Sequence, residues 1–246
     1  MLEGYRSLKV KSNMEIATNI FQIEVEKDSD TPIKPGQFFM LRAWEGKDPF
    51  LARPISIGDV GEESLTFLYE SKGKGTRIFS NLRKGDRLEI LGPLGNGFDL
   101  ASKGRTAIVG GGIGIAPLLY LLKSLEGEVD FYAGFRDEVY WIERIEKYAK
   151  NVYISTEDGS RGHKGYIVDV FDAKKYARII TCGPLPMMEK LMEVCEDKSK
   201  VEMSMEKRMA CGIGACLGCT IETVDGIKRV CKDGPIFIGT EVIFDD

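Results

Sequence analysis

The sequence predicts an α+β protein with three parts: an N-terminal antiparallel β-barrel, an α/β domain with a doubly wound parallel sheet, and a small C-terminal cysteine-rich segment. Residues 5–98 contain short stretches of alternating apolar and polar residues separated by turn residues. Residues 105–205 alternate β-branched runs with helical spacing, and four of the six cysteines fall between residues 211 and 231. We place the domains at residues 1–100, 101–205 and 206–246.

The first part has the strand pattern of a small barrel. Apolar residues alternate with polar ones at Phe21, Ile23 and Val25, and again at Leu65, Phe67 and Tyr69. Turn residues rich in glycine and proline separate these stretches, and there is little helical periodicity. Many short antiparallel strands of this kind favour a closed barrel.

The second part alternates strands with helices. Short apolar or β-branched runs predict strands at residues 107–109, 129–133, 152–155 and 177–181. Helical spacing of apolar residues predicts helices at residues 117–125, 138–149 and 186–195. Strands that alternate with helices indicate a parallel, doubly wound sheet.

The third part carries the most specific pattern in the chain. Cys211, Cys216, Cys219 and Cys231 have the spacing C-x4-C-x2-C-x11-C, and its opening is that of the plant-type [2Fe-2S] cluster. A structural zinc site is the alternative, but zinc sites usually present two C-x2-C pairs, and here only Cys216 and Cys219 form one. We therefore predict an iron–sulfur cluster, which moves one electron at a time.

Composition narrows the location and the partners. The formal net charge is −4, so no strongly basic surface indicates nucleic acid or an anionic membrane as a partner. The longest uncharged stretch, residues 106–122, is shorter than the roughly 18–20 residues of a membrane-spanning helix and contains four glycines and a proline. We expect a cytoplasmic protein, in which cysteines stay reduced and available to a cluster.

Two motifs of the barrel part indicate a phosphate-containing ligand. Arg53-Pro54-Ile55-Ser56 ends a predicted strand, and an arginine there can bind a diphosphate through two hydrogen bonds. Gly73-Lys74-Gly75-Thr76 has the composition of an anion-binding turn at a helix start. Taken alone, the first motif is better explained as an ordinary strand end. A plain β-turn explains the second equally well.

Two motifs of the α/β part indicate a dinucleotide. Four glycines, among them Gly112 and Gly114, follow the first predicted strand and precede Pro117, which opens the next helix. A strand, a glycine turn and a helix form the context that a dinucleotide site requires. Cys182, in Thr181-Cys182-Gly183-Pro184, ends the last parallel strand and either faces a ligand there or is simply buried.

In this order, the motifs resemble the ferredoxin–NADP+ reductase superfamily, and within it the electron-transfer subunits of class 1B dihydroorotate dehydrogenases. The resemblance extends over nearly the whole chain, including Gly92-Pro-Leu-Gly-Asn-Gly-Phe98 and Cys231-Lys-Asp-Gly234. It implies an oxidoreductase subunit of pyrimidine biosynthesis that carries FAD, a [2Fe-2S] cluster and an NAD site. It also implies a separate FMN-containing catalytic subunit that oxidises dihydroorotate, in a heterotetramer with two copies of each subunit.

The resemblance assigns roles residue by residue. FAD contacts are implied for Arg53, Pro54, Ile55, Ser56, Gly75 and Thr76, nucleotide contacts for Gly112 and Gly114, and a position beside the nicotinamide for Cys182. Many relatives have tyrosine where this chain has Ile55, and that tyrosine stacks on the flavin. We therefore expect another ring, that of Tyr69, to stack on the flavin here.

The sequence signals for the nucleotide and for the partner are less specific than those for the fold. Acidic residues at Glu157-Asp158-Gly159 disfavour a 2′-phosphate and favour NAD over NADP, although Arg161 and Lys164 lie close in sequence. Subunits of sulfhydrogenases and of NADPH-dependent ferredoxin oxidoreductases combine similar parts and form the alternative within this class. A zinc-stabilised binding module without redox activity is the alternative outside it.

Overall fold

The computed structural model describes residues 4–28, 31–101 and 104–244. The first six strands close into an antiparallel barrel in the order β1-β2-β5-β4-β3-β6. Their bounds are β1 (Arg6–Ala17), β2 (Ile20–Glu26), β3 (Phe38–Arg42), β4 (Arg53–Val60), β5 (Ser64–Glu70) and β6 (Arg87–Leu94). Helix α1 (Lys74–Ser80) connects β5 to β6. The alternating side chains of the strands, including Ile23, Phe67 and Leu88, fill the barrel interior.

A seven-stranded sheet follows, with the order β10-β9-β8-β7-β11-β12-β15. All neighbouring pairs are parallel except β12 and β15. The strands are β7 (Thr106–Gly111), β8 (Val129–Phe135), β9 (Asn151–Thr156), β10 (His163–Lys164), β11 (Arg178–Cys182), β12 (Val201–Ser204) and β15 (Ile236–Ile238). The chain runs outward from β7 to β10 and then returns to β11 on the other side of β7. The carboxyl ends of β7 and β11 therefore form the switch point at which open α/β sheets bind ligands.

Three helices accompany the sheet: α2 (Ala116–Ser124), α3 (Ile142–Ile145) and α4 (Leu185–Val194). A 3-10 turn (Gly112–Ile115) joins β7 to α2. Three further 3-10 turns span Ile167–Val170, Ala173–Lys175 and Lys198–Lys200. Apolar side chains bury both faces of the sheet, as expected for strands that are apolar on both sides. In the described chain, no helix is both long enough and apolar enough to span a bilayer.

The predicted helix at residues 138–149 is wrong in extent, because only Ile142–Ile145 is α-helical. Trp141, directly before it, has a left-handed backbone with φ of 61°. Its ring packs over Gly58 of the barrel, and its Nε1 donates a hydrogen bond of 2.8 Å to Gln22 Oε1. Contacts with the barrel thus decide the conformation here, over local helical propensity.

The cysteine-rich segment is attached to the sheet. A hairpin of β13 (Thr220–Thr223) and β14 (Gly226–Arg229) follows the first three cysteines. Strand β15 then adds antiparallel to β12 as an edge of the large sheet. Three residues near the C-terminus thus belong to the large sheet and not to the hairpin of the cysteine-rich segment.

Candidate functional site

Two clefts open between the barrel and the sheet. The barrel cleft, of about 240 Å³, is lined by the start of β4, by the end of β5 and by the first residues of α1 and α2. The motif Arg53–Ser56 therefore begins a strand, whereas the sequence predicted that it ends one. The sheet cleft, of about 920 Å³, runs along the carboxyl ends of the sheet strands and reaches the cysteine-rich segment. Most of the FAD and nucleotide residues predicted from the sequence line one of these two clefts.

Arg53 is held at the barrel cleft by the start of α1. A Cβ atom built on Gly75 would lie 2.8 Å from Arg53 Nε and 2.9 Å from its Cζ, so only glycine lets the guanidinium lie against the helix. The Arg53 Cζ also lies 5.4 Å from the centre of the Trp44 ring, and its Nη1 donates to the Leu51 carbonyl. Sequence reasoning missed Trp44, because nothing in its local pattern marks it.

Thr76 organises the turn before α1. Its Oγ1 accepts hydrogen bonds from the backbone N–H groups of Lys72 (3.1 Å) and Gly73 (3.0 Å). The first N–H groups of a helix have no partner within the helix, so this turn presents donors to the cleft beside Arg53. The structure therefore brings together Arg53, Pro54, Ile55, Ser56 and Thr76 on one wall, with Gly75 buried directly behind Arg53.

Tyr69 is among the residues that line the barrel cleft, but almost all of its ring is buried. Its ring is only 1% exposed and lies inside the barrel, stacked on Phe21 at 5.6 Å and edge-on to Phe79. Its hydroxyl donates to Asn13 Oδ1 at 3.1 Å. β5 directs the ring into the barrel core and leaves no open ring face in the cleft. Its stacking on a flavin stays a prediction. The neighbouring Leu68 belongs to a different apolar cluster, on the sheet side.

The glycine turn after β7 lies on the sheet cleft. Gly112 has φ of +52°, and a Cβ built there would meet no atom within 4 Å, so its backbone is open to a ligand. Gly114 has the opposite role, since its Cβ would lie 2.5 Å from the Cys182 carbonyl oxygen. The loops after β7 and β11 can therefore touch only because this residue is glycine.

The Cys182 side chain lies beneath the wall rather than on it. It is 1% exposed and is absent from both cleft linings, whereas Gly183 and Pro184 line the sheet cleft. Burial raises the pKa of the Cys182 thiol, and the nearby Glu206 carboxylate adds to this. The structure thus places the carbonyl of Cys182 at the glycine turn. Of the two alternatives for its side chain, facing a ligand or being buried, the structure shows the buried thiol.

The acidic stretch that favoured NAD does not line the sheet cleft. Glu157 and Asp158 are not among the residues that line the sheet cleft, whereas Asp137 and Glu138, after β8, are. Glu138 accepts two hydrogen bonds from Thr18 of the barrel, from its backbone N–H (2.6 Å) and from its hydroxyl (2.7 Å). These two bonds, the backbone one first, lower the pKa of Glu138.

The two clefts meet at a shared stretch of wall, which we call the junction. The residues that line both clefts are Glu70, Lys72, Ile113, Met205, Glu206 and Lys207. The Glu206 side chain is exposed to the clefts. The protein around it still removes part of its hydration, which raises its pKa, while Lys72 opposes the rise. Sequence reasoning missed Glu206, since only the fold places the segment after β12 beside the barrel.

The four predicted cysteine ligands lie in two pairs. The Cys211 thiol neighbours that of Cys216, and the Cys231 thiol neighbours that of Cys219. In the described residues, no three His, Cys, Asp or Glu side chains converge on the position of one metal ion. Two pairs of thiols are the ligand set that a two-iron cluster takes.

Backbone N–H groups point at the cysteine sulfurs. Gly214 N lies 3.1 Å from Cys231 Sγ, Cys216 N lies 3.4 Å from Cys211 Sγ, and Cys231 N lies 3.4 Å from Cys219 Sγ. Burial opposes ionisation of Cys211, but N–H groups of the loop outweigh it and lower its pKa to about 6. Glycines with positive φ at 212 and 214 allow the loop to curl in this way. These donors suit a thiolate-bound, negatively charged group.

Comparison with known proteins agrees with this geometry. Residues 206–243 match the iron–sulfur cluster binding domain of dihydroorotate dehydrogenase B. The chain is 48% identical to the dihydroorotate dehydrogenase B (NAD(+)) electron transfer subunit of Clostridium acetobutylicum over the full length of both chains. It is 41% identical to the subunit of the same name from Caldanaerobacter subterraneus subsp. tengcongensis, with 96% of this chain and 97% of that one covered. This chain belongs to the family of dihydroorotate dehydrogenase B electron transfer subunits.

Solved structures extend the family likeness to the fold. A structure described as an NADH-dependent reduced ferredoxin–NADP oxidoreductase, studied for flavin-based electron bifurcation, superposes with a TM-score of 0.86 at 27% identity. It covers 96% of this chain, and 89% of its own length is covered. A ferredoxin NADP+ reductase from Neisseria gonorrhoeae, solved with FAD and NADP, gives 0.67 at 14% identity, covers 81% of this chain with 98% of its own length covered, and indicates the fold alone.

Family membership confirms the predicted fold class and the predicted electron-transfer role. The zinc-stabilised binding module is therefore not supported.

Proposed function

We propose that this chain carries electrons between a separate dihydroorotate-oxidising subunit and NAD+. In this proposal FAD occupies the barrel cleft, NAD the sheet cleft and a [2Fe-2S] cluster the cysteine loop. The observation that supports it best is the junction, where the two clefts share a wall and from which residues 207–210 lead directly to Cys211. One continuous route thus connects all three sites.

The residues present fit each group. Arg53 and the N–H groups at the start of α1 suit a diphosphate, and Ile55, Leu68 and Ile113 offer an apolar wall to a ring system. The open backbone of Gly112 suits a second diphosphate at the switch point of the sheet. The paired thiols and their N–H donors suit an iron–sulfur cluster.

The bound groups supply the redox chemistry: a flavin exchanges a hydride with NAD and single electrons with the cluster. The chain's residues bind and orient these groups. Arg53 and Thr76 fix one end of the barrel cleft, so that the other end points to the junction. The close approach of Gly114 to the loop after β11 shapes the floor of the sheet cleft. The loop N–H groups stabilise negative charge on the cysteine sulfurs.

The partner is proposed to dock on the cysteine loop. Cys216 is exposed, and Ile213 and Leu217 beside it are 54% and 61% exposed, which gives the cluster an apolar, accessible face. An electron relay needs such a face close to the next redox group. The proposed partner is an FMN-containing catalytic subunit, in an assembly of two copies of each.

The test is to express the chain with and without the catalytic subunit and to assay dihydroorotate-dependent reduction of NAD+. We expect this activity only from the complex, and NADH oxidation with an artificial acceptor from the chain alone. Visible spectra and iron and flavin analysis check the cofactors, and light scattering checks the stoichiometry. A colourless chain, or a catalytic subunit that reduces NAD+ equally well when this chain is absent, would contradict the proposal.

A further inference from the structure

The junction is the place where the reacting ends of the two bound groups must meet. Hydride transfer requires contact between the nicotinamide ring and the flavin ring. If FAD fills the barrel cleft and NAD the sheet cleft, that contact lies at the wall that both clefts share. This step rests on the proposed function, and it brings the nicotinamide ring next to Glu70, Lys72 and Glu206.

The charges at the junction are not equally compensated. Lys72 Nζ forms an ion pair of 2.9 Å with Glu70 Oε2, so these two residues largely neutralise each other, whereas Lys207, also at the junction, is exposed and has no ion pair among the described residues. In the part of the chain that the structure describes, the Glu206 carboxylate has neither a hydrogen bond nor an ion pair within 4 Å. The charged group that acts on the Glu206 carboxylate is Lys72 from the barrel.

The two redox forms of the nicotinamide differ in charge. The oxidised ring carries one positive charge and the reduced ring none, while the rest of the dinucleotide is the same in both. A carboxylate without a partner in the cleft attracts the cationic ring by its charge and has no such attraction for the neutral ring. We infer that Glu206 gives the sheet cleft its preference for oxidised over reduced dinucleotide.

This preference suits a subunit that delivers electrons to NAD+. The acceptor is held more tightly before the hydride arrives, and the product is released more easily afterwards. Glu206 acts here as a specificity residue for the redox state, and it needs no covalent or proton-transfer step. Lys72 opposes it, so removal of the two charges has effects of opposite sign.

The experiment measures dissociation constants on the oxidised chain loaded with its cofactors, by isothermal titration calorimetry. The ligands are NAD+, its tetrahydronicotinamide analogue, which has a neutral ring and gives no hydride, and ADP-ribose, which has no nicotinamide. For Glu206→Gln we expect the Kd of NAD+ to rise roughly five- to tenfold, and the other two to stay within about twofold. For Lys72→Gln we expect NAD+ to bind more tightly relative to the analogue.

Glu222→Gln is the matched control, since Glu222 lines the sheet cleft outside the junction. It should leave the ratio of NAD+ to analogue affinity unchanged, and the flavin spectrum checks that each variant is folded. The inference is overturned if Glu206→Gln weakens all three ligands equally, or none of them, while the wild-type chain binds all three. If the wild-type chain binds none, the proposed nucleotide site itself fails, and the inference with it.

Discussion

The guanidinium of Arg53 occupies the space that a side chain on Gly75 would need. Gly75→Ala would bring a Cβ to within about 3 Å of three guanidinium atoms and push Arg53 out of the barrel cleft. A charge-assisted hydrogen bond contributes about 1.5–3 kcal/mol, so we expect FAD affinity to fall at least roughly tenfold. Flavin retention after dialysis, or titration of the flavin-free chain, measures this.

Gly73→Ala is the control for that change. Gly73 lies in the same turn, its φ is −124°, and a Cβ there would meet nothing within 4 Å. FAD affinity should stay within about threefold of wild type. Equal losses in the two variants would mean that the turn, rather than the position of Arg53, determines flavin binding.

At the scale of single residues, the sequence predicted ligand types better than side-chain directions. Arg53, Thr76 and the cysteines belong to motifs whose chemistry is local. The structure places Arg53 and Thr76 on the barrel cleft and the four cysteines in two pairs. The direction of Tyr69 could have been predicted, because it shares its parity in β5 with the core residues Phe67 and Leu65. Glu206 could not, since its setting depends on two domains meeting.

At the scale of elements, the cysteine loop and its hairpin form one unit. Strand β13 starts directly after Cys219, and β14 ends two residues before Cys231. The Arg229 side chain ties the hairpin back to the loop by donating to the Gly214 carbonyl at 3.2 Å and to Asp233. The hairpin therefore sets the distance between the two thiols of the second pair.

Cys219→Ser should abolish the cluster and leave the flavin bound. A hydroxyl is a poor ligand for iron, while the barrel cleft has none of its lining in the cysteine loop from Cys211 to Cys219. Iron content and the visible spectrum after purification measure the two cofactors. Cys195→Ala is the control, since Cys195 is buried beside α4, and its cluster content should match wild type. A normal iron content in the serine variant would exclude Cys219 as a ligand.

The helix after β8 shows where prediction from periodicity ends. The pattern of residues 138–149 is helical, but contacts of Trp141 with Gly58 and Gln22 hold the chain in another conformation. The neighbouring Arg144 donates to Asp59 of β4 at 2.7 Å. Contacts between domains are invisible to a local pattern, and here they outweigh it.

At the scale of the whole molecule, one arginine of the sheet binds both a buried carboxylate and the segment that leaves the barrel. Arg178 donates to both oxygens of Glu202, each at 2.8 Å, and to the carbonyls of Asp99 and Ala101 after the barrel. Both charged side chains are almost fully buried. This contact ties the segment that follows the barrel to strands β11 and β12 of the sheet.

Arg178→Met should destabilise the protein strongly. It removes one partner of a buried ion pair, which costs about 3–5 kcal/mol, or a fall of roughly ten degrees in the thermal midpoint. Calorimetry of the cofactor-loaded chain measures this. The double variant Arg178→Met/Glu202→Gln should recover part of the loss, since no buried charge remains. A fall of less than two degrees in the single variant would show that the pair contributes little.

Docking of the partner is the property of the whole molecule that the surface itself makes testable. Ile213→Asp and Leu217→Asp place a charge on the apolar face beside the exposed Cys216 without touching a buried side chain. If the catalytic subunit covers this face, burial of an unpaired carboxylate should weaken association at least roughly tenfold. Dihydroorotate-dependent NAD+ reduction should fall in parallel at low subunit concentration, while NADH oxidation by the chain alone stays unchanged. Met14→Asp is the control, because Met14 is 51% exposed on β1 of the barrel and should not affect association. Equal association of all three variants would move the docking surface away from the cysteine loop, and the route from the junction to Cys211 would then need another exit.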